Sequence, residues 1–298
     1  MQTVVIINPV SGGQAHGSSP ALQIALASSI LQRHGLEFDV RVTEGPGHAY
    51  EIAGQSVAGG ASLVFAWGGD GTVNEVGSAL TFQKAALGII PAGSGNGLAR
   101  ELGISRKPDV AIESALNGTV KTIDVGEING LLFINVAGVG FDAHIASLFG
   151  SGGAKRRGFR NYLRLGIGEI CVYKSRPYRI SFDSETIESR ALLVAVANSR
   201  QWGNGAQIAP LARIDDGLLD LVVVEDRSVA RRFLTAPRLF TGTLLGAAGV
   251  HHRKTASLTI FSDEPVIFHV DGEPKAPANK LTAGIHLKAL KVRVPKST

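Results

Sequence analysis

A single cysteine, Cys171, in a chain of 298 residues excludes an internal disulfide framework and any multi-cysteine metal site. Its neighbours, Gly168 to Tyr173, read as an apolar helix face, so the thiol is expected to be packed. No apolar run reaches the roughly 18 residues needed to cross a bilayer. The opening "MQTVVIINP" lacks the basic stretch and apolar core of a signal peptide, and neither end carries a lipidation motif. The expectation is a cytoplasmic protein without a transmembrane segment. The P-loop signature is missing. Gly93, Gly95 and Gly97 run G-x-G-x-G, which is not the dinucleotide fingerprint. Ser94 is no nucleophile elbow, because Ala92 and Asn96 flank its glycines. There is no internal repeat and no low-complexity tract.

Glycine is abundant, at 37 residues, while 44% hydrophobic and 18% charged residues describe a globular chain. The net charge of +5 is concentrated in two stretches, Ala154 to Gly166 and Asp226 to Phe240. These are solvated helix faces or contacts for an anionic surface. Neither forms a nucleic-acid motif or an aromatic stacking platform, so no nucleic-acid partner is expected.

The first part of the chain alternates strand and helix signals. "TVVIINP", "EFDVRVTE", "ASLVFAW" and "ALGIIPAG" read as strands. Helices are expected after Ser19-Pro20, over Gly47 to Ala58, from Thr72, from about Gly95 and in "PDVAIESALNG". Such alternation implies a parallel sheet with helices on its faces, and ligands beyond the carboxyl ends of its strands. Short strands dominate from about Lys121, interrupted by helices near Phe159 to Val172 and Ser228 to Leu245. The expected organisation is a doubly wound α/β domain over residues 1–122 and a mainly β-sandwich domain over 123–298. The last strand is allowed to return to the first domain.

Three loops at expected strand ends are rich in glycine or asparagine: "NPVSGG", "WGGDGT" and "PAGSGNG". Glycine weakens strands, so Gly68-Gly69-Asp70-Gly71 needs a local reason, either a tight turn or a backbone that closes on a ligand. Glycine turns opening onto helix N-termini cradle anions, and polyphosphate fits two of them. Read alone, Asp271-Gly272-Glu273 and Asp215-Asp216-Gly217 are turns, His251-His252 is surface, and Asn135 is a supporting residue.

"GGDGTVNEV", "PAGSGN" and "HVDGEP" in one chain, behind "NPVSGG", resemble the diacylglycerol kinase catalytic-domain family. This family includes bacterial YegS-type lipid kinases and the diacylglycerol, sphingosine and ceramide kinases, with NAD kinases as distant relatives. "VRVTEGPGHA" and "NSRQWGNGAQIAPLARIDDGLLDLVVV" extend the likeness over nearly the whole chain. The resemblance implies an α/β nucleotide-binding domain joined to a β-sandwich, with ATP in the cleft between them. It assigns nucleotide contacts to Asn8, Thr43, Gly68, Gly69, Asp70, Gly71, Thr72, Val73, Asn74, Glu75, Ser94 and Asn96. Asp70 would also orient the magnesium bound to the ATP phosphates, and Glu273 would be the general base. Asp216, with the carbonyls of Arg213 and Leu218, would hold a structural Mg²⁺. Gly97 stands where many bacterial members carry an acidic residue, closer to the sphingoid-kinase pattern.

The implied activity is an ATP-dependent lipid kinase acting on a diacylglycerol-, sphingoid- or related lipid at a membrane surface. The chain would associate with the membrane peripherally and reversibly, and a homodimer is left open. The alternatives are an NAD-kinase-like enzyme with a soluble acceptor, or a non-catalytic nucleotide-binding regulator at the membrane.

Overall fold

Four short apolar strands, β1 (Thr3–Ile7), β2 (Phe38–Val42), β3 (Leu63–Gly68) and β4 (Ala86–Pro91), pair in parallel in the order β2-β1-β3-β4. Every residue of β1, β3 and β4 is buried, as a parallel sheet covered on both faces requires. The covering helices are α1 (Pro20–Arg33), α2 (His48–Ala58), α3 (Asp70–Leu80), α4 (Gly97–Glu101) and α5 (Pro108–Asn117). Helix α1 starts as its sequence dictates: Pro20 fills the first turn and the Ser19 hydroxyl accepts the Leu22 N–H. Gly35, just past its end, has φ of +63°. Ile7 lies beside both Val42 and Trp67, and Gly68 beside Pro91, so the strands finish level at one edge.

The computed structural model describes residues 2–11, 19–150 and 159–296. They divide into two compact units, Met1–Ile123 with Lys288–Thr298, and Asp124–Leu287. The chain enters the second unit along β5 (Thr119–Ile128) and leaves it along β15 (Glu273–Val294). Near its end, Lys291 and Val292 of β15 pair in parallel with Ala86 and Leu87 of β4.

The second unit is mainly antiparallel. After β6 (Leu131–Phe133) and β7 (Val136–Gly140) come α6 (Phe141–Gly150) and α7 (Phe159–Val172). Strands β8 (Arg176–Phe182), β9 (Glu185–Ala197), β12 (Leu219–Glu225), β13 (Val250–Thr255) and β14 (Ser257–Val270) follow, with the small hairpin β10 (Gln201–Gly203) and β11 (Ala206–Gln207) between β9 and β12. Besides pairing β12 and β15 respectively, strands β9 and β14 change partner along their length, since their first halves pair β8 and their later residues pair β7. Period-2 alternation separates two cores. Leu219, Leu221 and Val223 of β12 join Phe133, Ile180 and Phe268 in one, while Val222 and Val224 join Ile208 and Leu244 in the other.

Two features of the second unit depart from the sequence expectation. Residues 228–245 form no single helix but α8 (Val229–Thr235), α9 (Arg238–Thr241) and a 3-10 turn at Leu244–Gly246. Pro237 cannot donate an interior helix hydrogen bond, and Gly242 ends α9 in the left-handed region. Cys171 is exposed rather than packed, because one residue advances a helix by about 100° and Ile170 takes the inward position. Of the first basic stretch, Lys155, Arg156 and Arg157 lie outside the described residues. Among the described residues no helix is long and apolar enough to cross a membrane.

Candidate active site

Where β1, β3 and β4 end, three loops meet. Asn8 Nδ2 donates to Thr72 Oγ1 at 2.9 Å, and the Gly69 N–H donates to Ser11 Oγ at 3.3 Å. The Asp70 carboxylate accepts from the backbone N–H groups of Asn96, at 2.9 Å, and Gly97, at 2.6 Å. Asp70 thus ties the GGDGT loop to the GSGN loop. The Asn96 side chain closes that second loop on itself, donating to Gly93 O at 2.7 Å and accepting the Gly93 N–H at 2.9 Å. Its φ of +52° is one that asparagine tolerates better than most side chains.

Glycine is required where the loops touch. A Cβ on Gly93 would stand 2.6 Å from the Cα of Gly69, and one on Gly68 would overlap the Thr72 side chain. Gly93→Ala is therefore expected to lose roughly 1–3 kcal/mol of stability through overpacking. Gly54→Ala, inside α2 with nothing within 4 Å of the added carbon, is the control. It should gain up to about 1 kcal/mol from helix propensity. Thermal denaturation of the two variants checks both signs.

The other expected nucleotide contacts divide by position. Thr43 is buried at the end of β2, its N–H donating to Ile7 O at 2.9 Å. Ser94 is exposed between the closed ends of its loop. Gly71 lies in the first turn of α3, and Asn74 is half-buried farther along it. Val73 is buried on α3, where its N–H serves Gly69 O at 3.0 Å. The Glu75 carboxylate is committed to the start of α2, accepting from Gly47 N at 2.9 Å and Ala49 N at 3.1 Å. Helix N-termini leave such N–H groups unpaired and favour negative charge, which explains why a carboxylate sits there.

In the second unit, Asp271 and Gly272 form a two-residue hairpin turn between β14 and β15, with φ of +46° and +85°. The asparagine- or aspartate-glycine preference of this turn comes from the positive φ at both positions. Two devices hold it. Asp271 accepts from Ile134 N at 2.8 Å, Asn135 N at 2.8 Å and Val136 N at 3.0 Å. The Gly272 N–H donates to His269 Nδ1 at 3.2 Å, so the ring proton sits on Nε2, which donates to Asp142 at 2.9 Å. His269 and Asp142 are both buried. Asn135 is supported in turn, its Oδ1 accepting from the Ser199 hydroxyl at 2.9 Å. Glu273, the next residue, is exposed and makes no side-chain hydrogen bond among the described residues.

The expected structural magnesium site needs a carboxylate open to the ion, and Asp216 has a competing cation. Lys254 Nζ is 2.7 Å from Asp216 Oδ2 and 3.4 Å from Asp220 Oδ2, while Asp216 Oδ1 accepts the Leu218 N–H at 3.3 Å. The β12–β13 register sets Lys254 directly opposite the fully buried Asp220, and His252 completes the cluster with Nε2 2.6 Å from Asp220 Oδ1. His252 is thus a partner of a buried carboxylate, not free surface. Burial alone would lower the Lys254 pKa, but the Asp216 and Asp220 carboxylates outweigh it and hold it above the ordinary value. A magnesium ion on Asp216 would share that carboxylate with the Lys254 ammonium and be repelled by it. The Asp216 carboxylate is taken up by the Lys254 ammonium and the Leu218 N–H, so a divalent ion there would have to displace the ammonium. As arranged, Asp216 is committed to Lys254 rather than open to an ion. Magnesium without nucleotide is expected to leave the melting temperature unchanged. Lys254→Met should lower stability by about 1–3 kcal/mol, because it takes one partner from the buried Asp220 and leaves only His252. A magnesium-dependent rise in wild type that Asp216→Ala abolishes would restore the metal site.

Sequence reasoning missed Ser11, Asp142, His269 and Lys254, whose roles depend on partners far away in the chain.

The family model of the diacylglycerol kinase catalytic domain matches residues 2–128, and that of the YegS C-terminal NAD kinase beta sandwich-like domain matches residues 135–294. A probable lipid kinase YegS-like protein of Pseudomonas aeruginosa is 33% identical over 291 residues, spanning 94% of this chain and 92% of its own. A diacylglycerol kinase of Bacillus subtilis is 27% identical, over 90% of this chain and 88% of its own. The crystal structure of a putative diacylglycerol kinase from Bacillus anthracis has the same fold, with a TM-score of 0.79 at 24% identity over 98% and 96% of the two chains. Matched along both units in order, the chain belongs to the diacylglycerol kinase catalytic-domain family, a family of kinases.

Proposed function

We propose that this kinase transfers the γ-phosphoryl group of ATP to a hydroxyl of a diacylglycerol-, sphingoid- or related lipid. The observation that carries the reading is the single sheet edge on which Asn8, the GGDGT loop and the GSGN loop are bound together by side chains. Glycine turns at the start of α3 present backbone N–H groups suited to phosphate oxygens, and the helix dipole favours the negative charge. Asp70 keeps this cradle closed by joining its two loops. Magnesium bound with the ATP phosphates supplies charge neutralisation during the transfer.

Glu273 is the base in this reading. As the acceptor oxygen bonds to the γ-phosphorus and the bond to ADP breaks, the hydroxyl proton passes to the Glu273 carboxylate. The Asp271 and His269 contacts fix the hairpin that presents it, so the base is held without being hydrogen-bonded itself. A lipid acceptor brings the reaction to a membrane surface, where the chain would sit reversibly. The likeness of the second domain to NAD kinases favours one rival, a soluble acceptor. Parallel incubation with ATP and either mixed lipid or NAD separates the two. Phosphorylated lipid supports the proposal; phosphorylated NAD with inert lipid defeats it.

A further inference from the structure

Residues 227–262 contain no aspartate or glutamate, and helices α8 and α9 lie within them. One arginine on these helices is turned inward as a pin. Arg232 donates through Nε at 3.0 Å and Nη2 at 2.6 Å to Asp226, and through Nη1 at 2.6 Å to the Ile170 carbonyl at the end of α7. Leu239 packs against the core beneath. With those two residues inward, the outer side of the pair is apolar and cationic. Val229 is 40% exposed, Phe233 41%, Leu234 74% and Phe240 49%. Arg231 and Arg238 are exposed among them and form no ion pair among the described residues. Scattered exposed apolar residues are ordinary, but apolar residues gathered on two adjoining helices and bordered by arginines with no ion pair among the described residues mark an interaction site.

We propose that α8 and α9 form the face by which the protein docks onto an anionic bilayer, a membrane role that deepens the lipid-kinase reading and takes its purpose from it. Helices of seven and four residues are too short to span a bilayer, so they lie in its surface. Phenylalanine and leucine enter the acyl boundary while arginine meets anionic headgroups, the arrangement of interfacial helices. A second copy of the chain fits less well. A twofold contact through this face would bring the Arg231 and Arg238 charges of both copies into one interface, with no carboxylate between 227 and 262 to offset them. The rigid anchor of Arg232 presents the face ready-made.

The test is co-sedimentation of the full chain with vesicles of equal parts phosphatidylcholine and phosphatidylglycerol, or of phosphatidylcholine alone. Wild type should bind the mixed vesicles at low salt at least tenfold better than the neutral ones, and release at high salt. Arg231→Gln and Arg238→Gln should each weaken binding roughly fivefold. The combined Phe233→Ser, Leu234→Ser and Phe240→Ser variant should not bind at any salt, yet keep full activity on a short-chain, water-soluble acceptor. Should that triple variant fail to fold, the two arginine variants and the lipid dependence of wild type still decide. Binding that ignores these substitutions overturns the proposal. So does a wild-type dimer, seen by light scattering, that the triple variant dissolves while vesicles go unbound. Vesicle binding by a protein that phosphorylates nothing would keep the docking face and remove the kinase reading instead.

Discussion

Replacing Asp70 by asparagine is expected to lower kcat/KM for phosphoryl transfer by roughly 10²–10⁴-fold, since a bond to a charged acceptor is worth about 1.5–3 kcal/mol and two are affected. The carboxylate accepts two N–H bonds, from Asn96 and Gly97, one on each oxygen. An amide of the same shape can accept only one and turns its own N–H₂ toward the other donor. The GSGN loop is then released from the GGDGT loop, and ATP affinity should fall together with turnover. That joint loss distinguishes a loop tie from a residue that acts only on the metal. The second unit shares none of these bonds, so the variant should remain folded with a modest fall in melting temperature. Near-wild-type kcat/KM would show that the tie is dispensable.

Glu273→Gln should produce a loss of another kind. A positioned general base contributes about 10²–10⁴-fold, and turnover should fall by that amount. ATP affinity should hardly change, because the glutamate makes no hydrogen bond among the described residues that the amide would break. The hairpin keeps its shape through Asp271 and His269, so melting temperature should stay within a degree or two of wild type. Titration of both variants with ATP, followed by single-turnover measurement, separates them: Asp70→Asn fails in binding and chemistry, Glu273→Gln in chemistry alone. Weakened ATP binding with normal turnover at saturation would make Glu273 a binding residue.

What could be read from the sequence was local. The strand and helix alternation of the first unit rests on periodicity and on markers such as Ser19-Pro20 and Gly35, and those act within a few residues. The Asp271-Gly272 turn is equally local, because its dihedral angles belong to the two residues themselves. Side-chain commitments were not legible. Asp70 meets partners 26 and 27 residues on, Glu75 caps a helix that begins 27 residues earlier, and Asp216 meets Lys254 across 38 residues. A carboxylate in a motif looks available for metal or nucleotide until the fold supplies its donors. The same limit applies to Cys171, where an apolar neighbourhood did not reveal which side of α7 faces in. Pro237, by contrast, was visible in the chain and sufficient to divide the expected helix.

Incubating the purified protein with ATP labelled at the γ-phosphate, magnesium and a total lipid extract tests the central claim most directly. Label is expected in the organic phase, on a lipid whose hydroxyl has become a phosphate monoester. ATP labelled at the α-phosphate should leave that phase blank, and Glu273→Gln should cut the γ-label at least about a hundredfold. An organic phase without γ-label, from protein that still binds ATP, would contradict the account.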